Sequence, residues 1–255
     1  MGTRILVTGG TGTLGAALVG KLSAAECDVR VLSRRPASAG APPGVSWSVG
    51  DLKTGDGIAA AVAGVDTVVH CATTLGSGDV AATRQLLERL RDRTDVHLVY
   101  VSIVGVDRVP LPYYRTKLEV ERLIEASGVP WTVQRATQFH DLLYRLFAIQ
   151  RWSPVTLVPS RTSFQPIDVR DVADRLAQLA VAEPAGRVAD IGGPEVRAVG
   201  DLARSYLRSV RRRRPVVGVR VPGAVGAGYR AGGHMAPDHR FGTVTFEEYL
   251  GRLDS

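Results

Sequence analysis

Apolar residues in the first 140 positions gather into short β-branched runs, each followed by a longer stretch with helical spacing. The runs predict strands at 4–8, 29–33, 45–49, 67–71, 98–102 and 131–135, and the spacing between them predicts helices at 12–25, 57–63, 79–91 and 113–127. The strands are near-continuous apolar segments with no in–out alternation, as in a parallel sheet covered by helices on both faces. Repeated β-α-β order with right-handed crossovers then predicts an α/β fold on a doubly wound parallel sheet.

Beyond about residue 138 the rhythm loosens. Helices are predicted at 141–150, 169–181 and 201–210, a short strand at 164–167, and a turn at Gly192-Gly193-Pro194. Thr245 and Glu248 have capping-box spacing, so a final short helix opens there with Glu248 reaching back to the Thr245 amide. No repeat, low-complexity tract or long linker interrupts the chain. Residues 1–255 are therefore read as one domain, with a core over 1–140 and a mixed remainder over about 141–255 that includes a small C-terminal lobe capping a substrate pocket.

The most informative segment is Thr8-Gly9-Gly10-Thr11-Gly12-Thr13-Leu14-Gly15, at the first strand-to-helix junction. Gly9 permits the tight turn, Gly12 lets backbone approach a pyrophosphate, and Gly15 lets the helix pack closely on the strand. Amides around Thr11, Thr13 and Leu14 and the positive helix end then bind the anion, which makes the fold Rossmann-type. After the second strand an NAD-selective site would carry an acidic residue for the ribose 2′-hydroxyl, but this chain has Ser33-Arg34-Arg35. A guanidinium from Arg34 or Arg35 can pair with a 2′-phosphate that a carboxylate would repel, so NADP(H) is the expected cofactor.

Composition narrows the picture. Apolar residues make up 45% of 255 and charged residues 22%, an ordinary globular balance. No run approaches the ~20 apolar residues of a membrane span, and the N-terminus lacks a secretory layout, so no membrane partner is expected. Two cysteines, Cys27 and Cys71, cannot form a disulfide framework, and a reducing, cytoplasmic setting is expected. The net charge is +7 and arginines fill 211–214, but no aromatic interleaving or helix-turn-helix cue accompanies them. That run is read as a solvated helix end, with no nucleic-acid partner. No His/Cys/Asp cluster has metal-ligand spacing, and no nucleophile elbow occurs.

The glycine loop, then Gly50-Asp51-Leu52, then Tyr113-Tyr114-Arg115-Thr116-Lys117, resemble the short-chain dehydrogenase/reductase superfamily in its extended and atypical branches. Ser127-Gly128-Val129-Pro130-Trp131-Thr132-Val133-Gln134-Arg135, Val169-Arg170-Asp171-Val172-Ala173 and Ile191-Gly192-Gly193-Pro194-Glu195 resemble its NmrA-like group. The resemblance implies that Asp51 and Leu52 flank the adenine and that Cys71-Ala72-Thr73 runs along the cofactor ribose. It also implies that Ser102 lies near the nicotinamide, with Gln138 and Phe139 lining the nicotinamide and substrate side.

Tyr113 and Lys117 lie four residues apart on a predicted helix, so their side chains leave from one face. A phenol with a pKa near ~10 shuttles protons poorly at neutral pH, and a nearby ammonium lowers that pKa. Tyr113 is therefore the expected proton donor, with Lys117 also on the nicotinamide ribose and Ser102 holding the substrate oxygen. Tyr114 is a competitor with a three-residue offset, while Pro110 and Pro112 shape the loop before it. His70 reads as a core histidine, and His234 and His239 lie in a Gly/Pro-containing loop that could border the pocket.

The expected activity is an NADPH-dependent oxidoreductase reducing a small carbonyl, quinone or enone-type compound, as monomer or homodimer. A non-catalytic NADP(H) sensor and a nucleotide-sugar epimerase or dehydratase are the alternatives.

Overall fold

The structure is a computed structural model and describes residues 2–37 and 40–253. Strand β1 (Arg4–Thr8) runs into helix α1 (Thr13–Ala24), followed by β2 (Asp28–Ser33), β3 (Ser46–Val49), α2 (Ile58–Val62), β4 (Thr67–His70), α3 (Gly78–Leu90), β5 (His97–Ile103), α4 (Pro112–Glu125) and β6 (Trp131–Ala136). The second half contains α5 (His140–Ala148), β7 (Thr156–Pro159), β8 (Ser163–Phe164), α6 (Val169–Ala180), β9 (Gly186–Arg187), β10 (Arg197–Ala198), α7 (Val199–Ser209), β11 (Val216–Val219), α8 (Gly223–Arg230) and α9 (Phe246–Leu253).

The central sheet has the order β3-β2-β1-β4-β5-β6-β9. The register runs parallel from Arg4 opposite Asp28 on one side of β1 and from Ile5 opposite Thr67 on the other. This is the doubly wound Rossmann order, and the chain reverses direction across the sheet between β1 and β4. Both faces of β1 and β4 are covered, which is why the runs Ile5-Leu6-Val7 and Thr67-Val68-Val69 show no alternation.

The chain folds into two compact units. The first comprises Met1–Ser102, Arg115–Gln134 and Val172–Val188; the second comprises Ile103–Tyr114, Arg135–Asp171 and Ala189–Ser255. A single cut near residue 140 does not reproduce this division. Thr67 donates to the Ala180 carbonyl at 2.8 Å and Lys21 pairs with Asp174 at 2.6 Å, so the later part of α6 belongs to the sheet-bearing unit.

The first unit is centred on Leu6, Leu32, Ile58, Leu86, Leu98, Tyr100, Ile124 and Val133. The second has its own cluster, in which Leu143 and Phe147 of α5 meet Leu202 and Tyr206 of α7 and Phe246 and Leu250 of α9. Its α9 begins as the capping box requires: the Thr245 amide donates to Glu248 Oε2 at 2.8 Å, and the Glu248 amide donates to Thr245 Oγ1 at 3.2 Å.

Two features of this unit escape the sequence pattern. β7 and β11 pair in parallel across some sixty residues of chain, from Thr156 opposite Val216 to Pro159 opposite Val219. Helix α8, Gly-Ala-Val-Gly-Ala-Gly-Tyr-Arg, forms despite three glycines because Gly228 fits against Arg108 and Val109, where an added Cβ would stand 3.3 Å from either residue.

Candidate cofactor and catalytic sites

The glycine loop is built as its spacing demands. Gly9 has φ +71°, and a Cβ there would lie 2.7 Å from the Ala72 backbone. Only glycine combines that left-handed backbone with so close an approach of the β1 and β4 ends. The Gly12 amide donates to the Gly9 carbonyl at 2.9 Å and closes the turn. A Cβ on Gly15 would overlap the Gly9 carbonyl, so this glycine lets α1 pack on the strand exit.

Gly12 behaves differently. A Cβ there would meet the Gly9 carbonyl oxygen at 3.3 Å and no other described atom within 4 Å, so the loop is open on its outer side. No side chain caps the α1 N-terminus and its first turn has no acidic residue. Thr11 and Thr13 are exposed beside it while Leu14 anchors the turn in the core. Open backbone at the positive end of a helix dipole fits a pyrophosphate.

The sheet brings further expected cofactor residues to the same edge. Arg34 and Arg35 follow β2 and are exposed, with the Arg35 amide donating to Ser33 Oγ at 3.1 Å. The Gly50 amide donates to the Ser33 carbonyl at 2.9 Å, which ties the β3 exit to the β2 exit. Asp51 Oδ1 accepts the Lys53 amide at 2.8 Å, so this carboxylate also shapes its own turn, while Leu52 packs on the core.

After β4 the Cys71 amide donates to the Thr8 carbonyl at 3.1 Å. Burial pushes the Cys71 thiol up to about 12, so it stays protonated. Thr73 Oγ1 donates to Asp79 Oδ2 at 2.6 Å, and the Thr74 hydroxyl donates to Asp79 Oδ1 at 2.8 Å. Asp79 is a buried carboxylate that organises the loop after β4, a role its sequence position does not signal.

Lys117 of α4 is buried in this unit. Its Nζ donates to Tyr100 Oη at 2.9 Å and to the Val101 carbonyl at 3.0 Å, and it lies 4.5 Å from the Tyr100 ring centroid. Burial lowers its pKa to about 8, against the opposing pull of Asp79, Cys71 and Glu121. Ser102, two residues beyond Tyr100 on β5, has its Oγ buried with no hydrogen-bond partner among the described residues.

His70 is a core histidine. Thr83 Oγ1 donates its proton to the Asp79 carbonyl at 2.8 Å, so it accepts from His70 Nε2 at 3.2 Å, and Nδ1 accepts from Thr8 Oγ1 at 2.7 Å. Burial lowers the His70 pKa to about 4, consistent with this neutral tautomer.

In the second unit Tyr114 is buried and Tyr113 half-buried. Gln138 Nε2 donates to Tyr114 Oη at 2.9 Å, and Tyr229 Oη stands 3.5 Å from the same oxygen. Burial raises both phenol pKa values, so this pair stays protonated. Gln138 Oε1 is buried with no partner among the described residues. Phe139, half-buried, forms the extended residue ahead of α5. His234 is fixed by packing, 4.5 Å from the Tyr229 ring and 4.8 Å from Phe164, with Nε2 donating to the Ser163 carbonyl at 2.9 Å. His239 is exposed. Among the described residues no group of three or more His, Cys, Asp or Glu could hold a metal ion, and no helix is long and apolar enough to cross a membrane.

A family model described as NAD(P)H-binding matches residues 9–181. The chain belongs to that NAD(P)H-binding family, within the atypical or extended short-chain dehydrogenase/reductase, NmrA-like proteins. A Xenophilus azovorans NAD(P)H azoreductase is 28% identical over 83% of this chain and 75% of its own length. A Mycolicibacterium neoaurum 3-beta-hydroxysteroid dehydrogenase is 38% identical over 36% of this chain, a match that spans about a quarter, 24%, of that longer protein. Among solved structures, the Escherichia coli NADPH-dependent quinone oxidoreductase QOR2 with NADPH has a TM-score of 0.85 at 17% identity, covering 98% of this chain and 100% of its own. A Staphylococcus aureus nucleoside-diphosphate-sugar epimerase shares the fold as well.

Proposed function

We propose that this protein is an NADPH-dependent oxidoreductase that reduces a small carbonyl, quinone or enone-type compound. The observation that carries the reading is Lys117, an ammonium buried on the helix after β5 with its pKa lowered to about 8. A buried ammonium favours the phenolate of a neighbouring tyrosine, and Tyr113 precedes it by four residues on the same helix.

The bound nicotinamide supplies the hydride chemistry. The protein holds the pyrophosphate at the Gly9–Gly15 loop and the 2′-phosphate at Arg34 and Arg35, while Asp51 and Leu52 flank the adenine and Cys71-Ala72-Thr73 borders the ribose. Ser102 Oγ is assigned to the substrate oxygen; Gln138 and Phe139 are assigned to the nicotinamide and substrate side. Tyr113 Oη holds the proton that passes to the substrate oxygen. The azoreductase and quinone oxidoreductase likenesses support reductive chemistry on a small conjugated substrate.

One observation favours a second reading, a non-catalytic NADP(H) sensor: two of the three Lys117 N–H groups are already engaged by Tyr100 and Val101. Following NADPH absorbance with a panel of quinones, aldehydes and enones separates the two. Turnover supports the oxidoreductase. Tight NADPH binding without oxidation of any panel member supports the sensor.

A further inference from the structure

The second unit carries a face that the cofactor chemistry leaves unused. On α5, Leu143 and Phe147 point into the core, while Leu142, Leu146 and the following Ile149 form an exposed stripe at helical spacing. Trp152 extends it and is 84% exposed. Gln150 joins this stripe to the β7/β11 ribbon: its Nε2 donates to the Leu157 carbonyl at 3.2 Å and its Oε1 accepts the Leu157 amide at 2.8 Å. Leu157 pairs with Val217, and both are exposed, as is Val219 two residues on.

Charge gathers on the same segments. Residues 142–167 and 202–237 hold 11 of the 32 cationic residues and none of the 25 acidic ones. The rest of the chain, with 21 cationic and 25 acidic residues, is net negative, so the +7 balance arises in these two segments. Arg151 lies 5.6 Å from the Trp152 ring, and Arg214 donates to the Gln150 and Ser153 carbonyls at 2.7 Å, placing the arginine run 211–213 beside the apolar stripe.

We propose that this face docks on an anionic lipid surface. Exposed Leu, Ile and Trp enter the headgroup–acyl boundary while arginines meet lipid phosphates, which is the layout of an interfacial amphipathic surface. The charge complementarity is to phosphate; the contiguous apolar stripe distinguishes a lipid surface from a nucleic acid, whose phosphate backbone offers it no acyl layer. The docking is peripheral, so the lack of a ~20-residue apolar run, which bears on spanning helices, leaves it open. It departs from the sequence expectation of no membrane partner, and the vesicle experiment decides between the two. It does not depend on the cofactor or the reaction.

The test is co-sedimentation of the full chain with phosphatidylcholine vesicles and with phosphatidylcholine–phosphatidylglycerol vesicles, alongside Trp emission. Binding is expected to the anionic vesicles only, with a blue shift, and raised salt should release the protein. Ile149→Ser with Trp152→Ser should weaken binding by about tenfold or more, and Arg151→Gln or Arg213→Gln by roughly fivefold each. All four positions are exposed, so the fold should survive. Failure to bind anionic vesicles overturns the proposal, as does binding that the Ile149/Trp152 variant leaves unchanged. A dimer in sedimentation velocity that this variant dissociates, or a duplex oligonucleotide captured while vesicles are not, assigns the face to another partner and also overturns it.

Discussion

Lys117 Nζ donates to the phenol oxygen of Tyr100 at 2.9 Å while lying 4.5 Å from the centroid of the same ring. The ammonium is therefore held at the edge and face of one buried aromatic, with the Val101 carbonyl completing its surroundings at 3.0 Å. Tyr100 in turn stacks on His70, with ring centroids 5.5 Å apart, so cation, phenol and neutral imidazole form one buried stack.

That burial has a pH signature. The Lys117 pKa falls from 10.5 to about 8 on folding, so between those values the unfolded chain binds the extra proton and stability rises with pH. The charge penalty is present in full below about pH 8 and relieved by about pH 10.5; it amounts to a few kcal/mol at most. Chemical denaturation of wild type and Lys117→Met at pH 7 and pH 10 checks this. Wild-type stability should gain on the variant as pH rises. A difference that stays flat or falls would show that the lysine is not held in a desolvated setting.

Two of the loop glycines should separate fold from ligand. Gly15→Ala places a Cβ on the Gly9 carbonyl and should cost about 2 kcal/mol or more of stability as well as NADPH binding. Gly12→Ala meets the same carbonyl oxygen at 3.3 Å and keeps an ordinary φ of −83°, so its stability should change by less than about 1 kcal/mol. NADPH affinity should still drop, because the added methyl stands where backbone meets the pyrophosphate. Thermal melts and cofactor titrations of both variants decide the matter.

Cofactor choice should reside in two exposed side chains. Arg34→Gln with Arg35→Gln removes the guanidiniums and should weaken NADPH binding about tenfold to a hundredfold while leaving NADH affinity nearly unchanged. Equal losses for both cofactors would place these arginines on the shared diphosphate half and undo the case for NADP preference.

Much of this architecture was legible in the sequence because the signals are local. The glycine loop, the apolar runs and the Thr245–Glu248 capping box depend on near neighbours, and each stands where the pattern places it. The β7/β11 ribbon was illegible because its two short runs are far apart in sequence and neither alternates strongly. Helix α8 was hidden by glycines that tertiary packing explains, Gly226 against the Val221 carbonyl and Gly228 against Arg108 and Val109.

Within the candidate sites the sequence singled out Lys117 and Ser102 but not Tyr100 or Asp79. Tyr100 reads as one more apolar position in a buried strand, and Asp79 as a helix-start aspartate. Tyr229 was missed for the same reason as α8, and its approach to Tyr114 at 3.5 Å is a tertiary event with no local trace.

In the proposed reaction Tyr113 is the proton donor to the substrate. The most direct test of that assignment is NADPH oxidation by wild type, Tyr113→Phe and Tyr114→Phe with any quinone, aldehyde or enone that the wild type turns over, with NADPH affinity measured alongside. A loss of about a hundredfold or more in turnover is expected for Tyr113→Phe with cofactor binding intact, and a smaller change for Tyr114→Phe. Full turnover in Tyr113→Phe, or tight NADPH binding by wild type with no oxidation at all, would contradict the assignment.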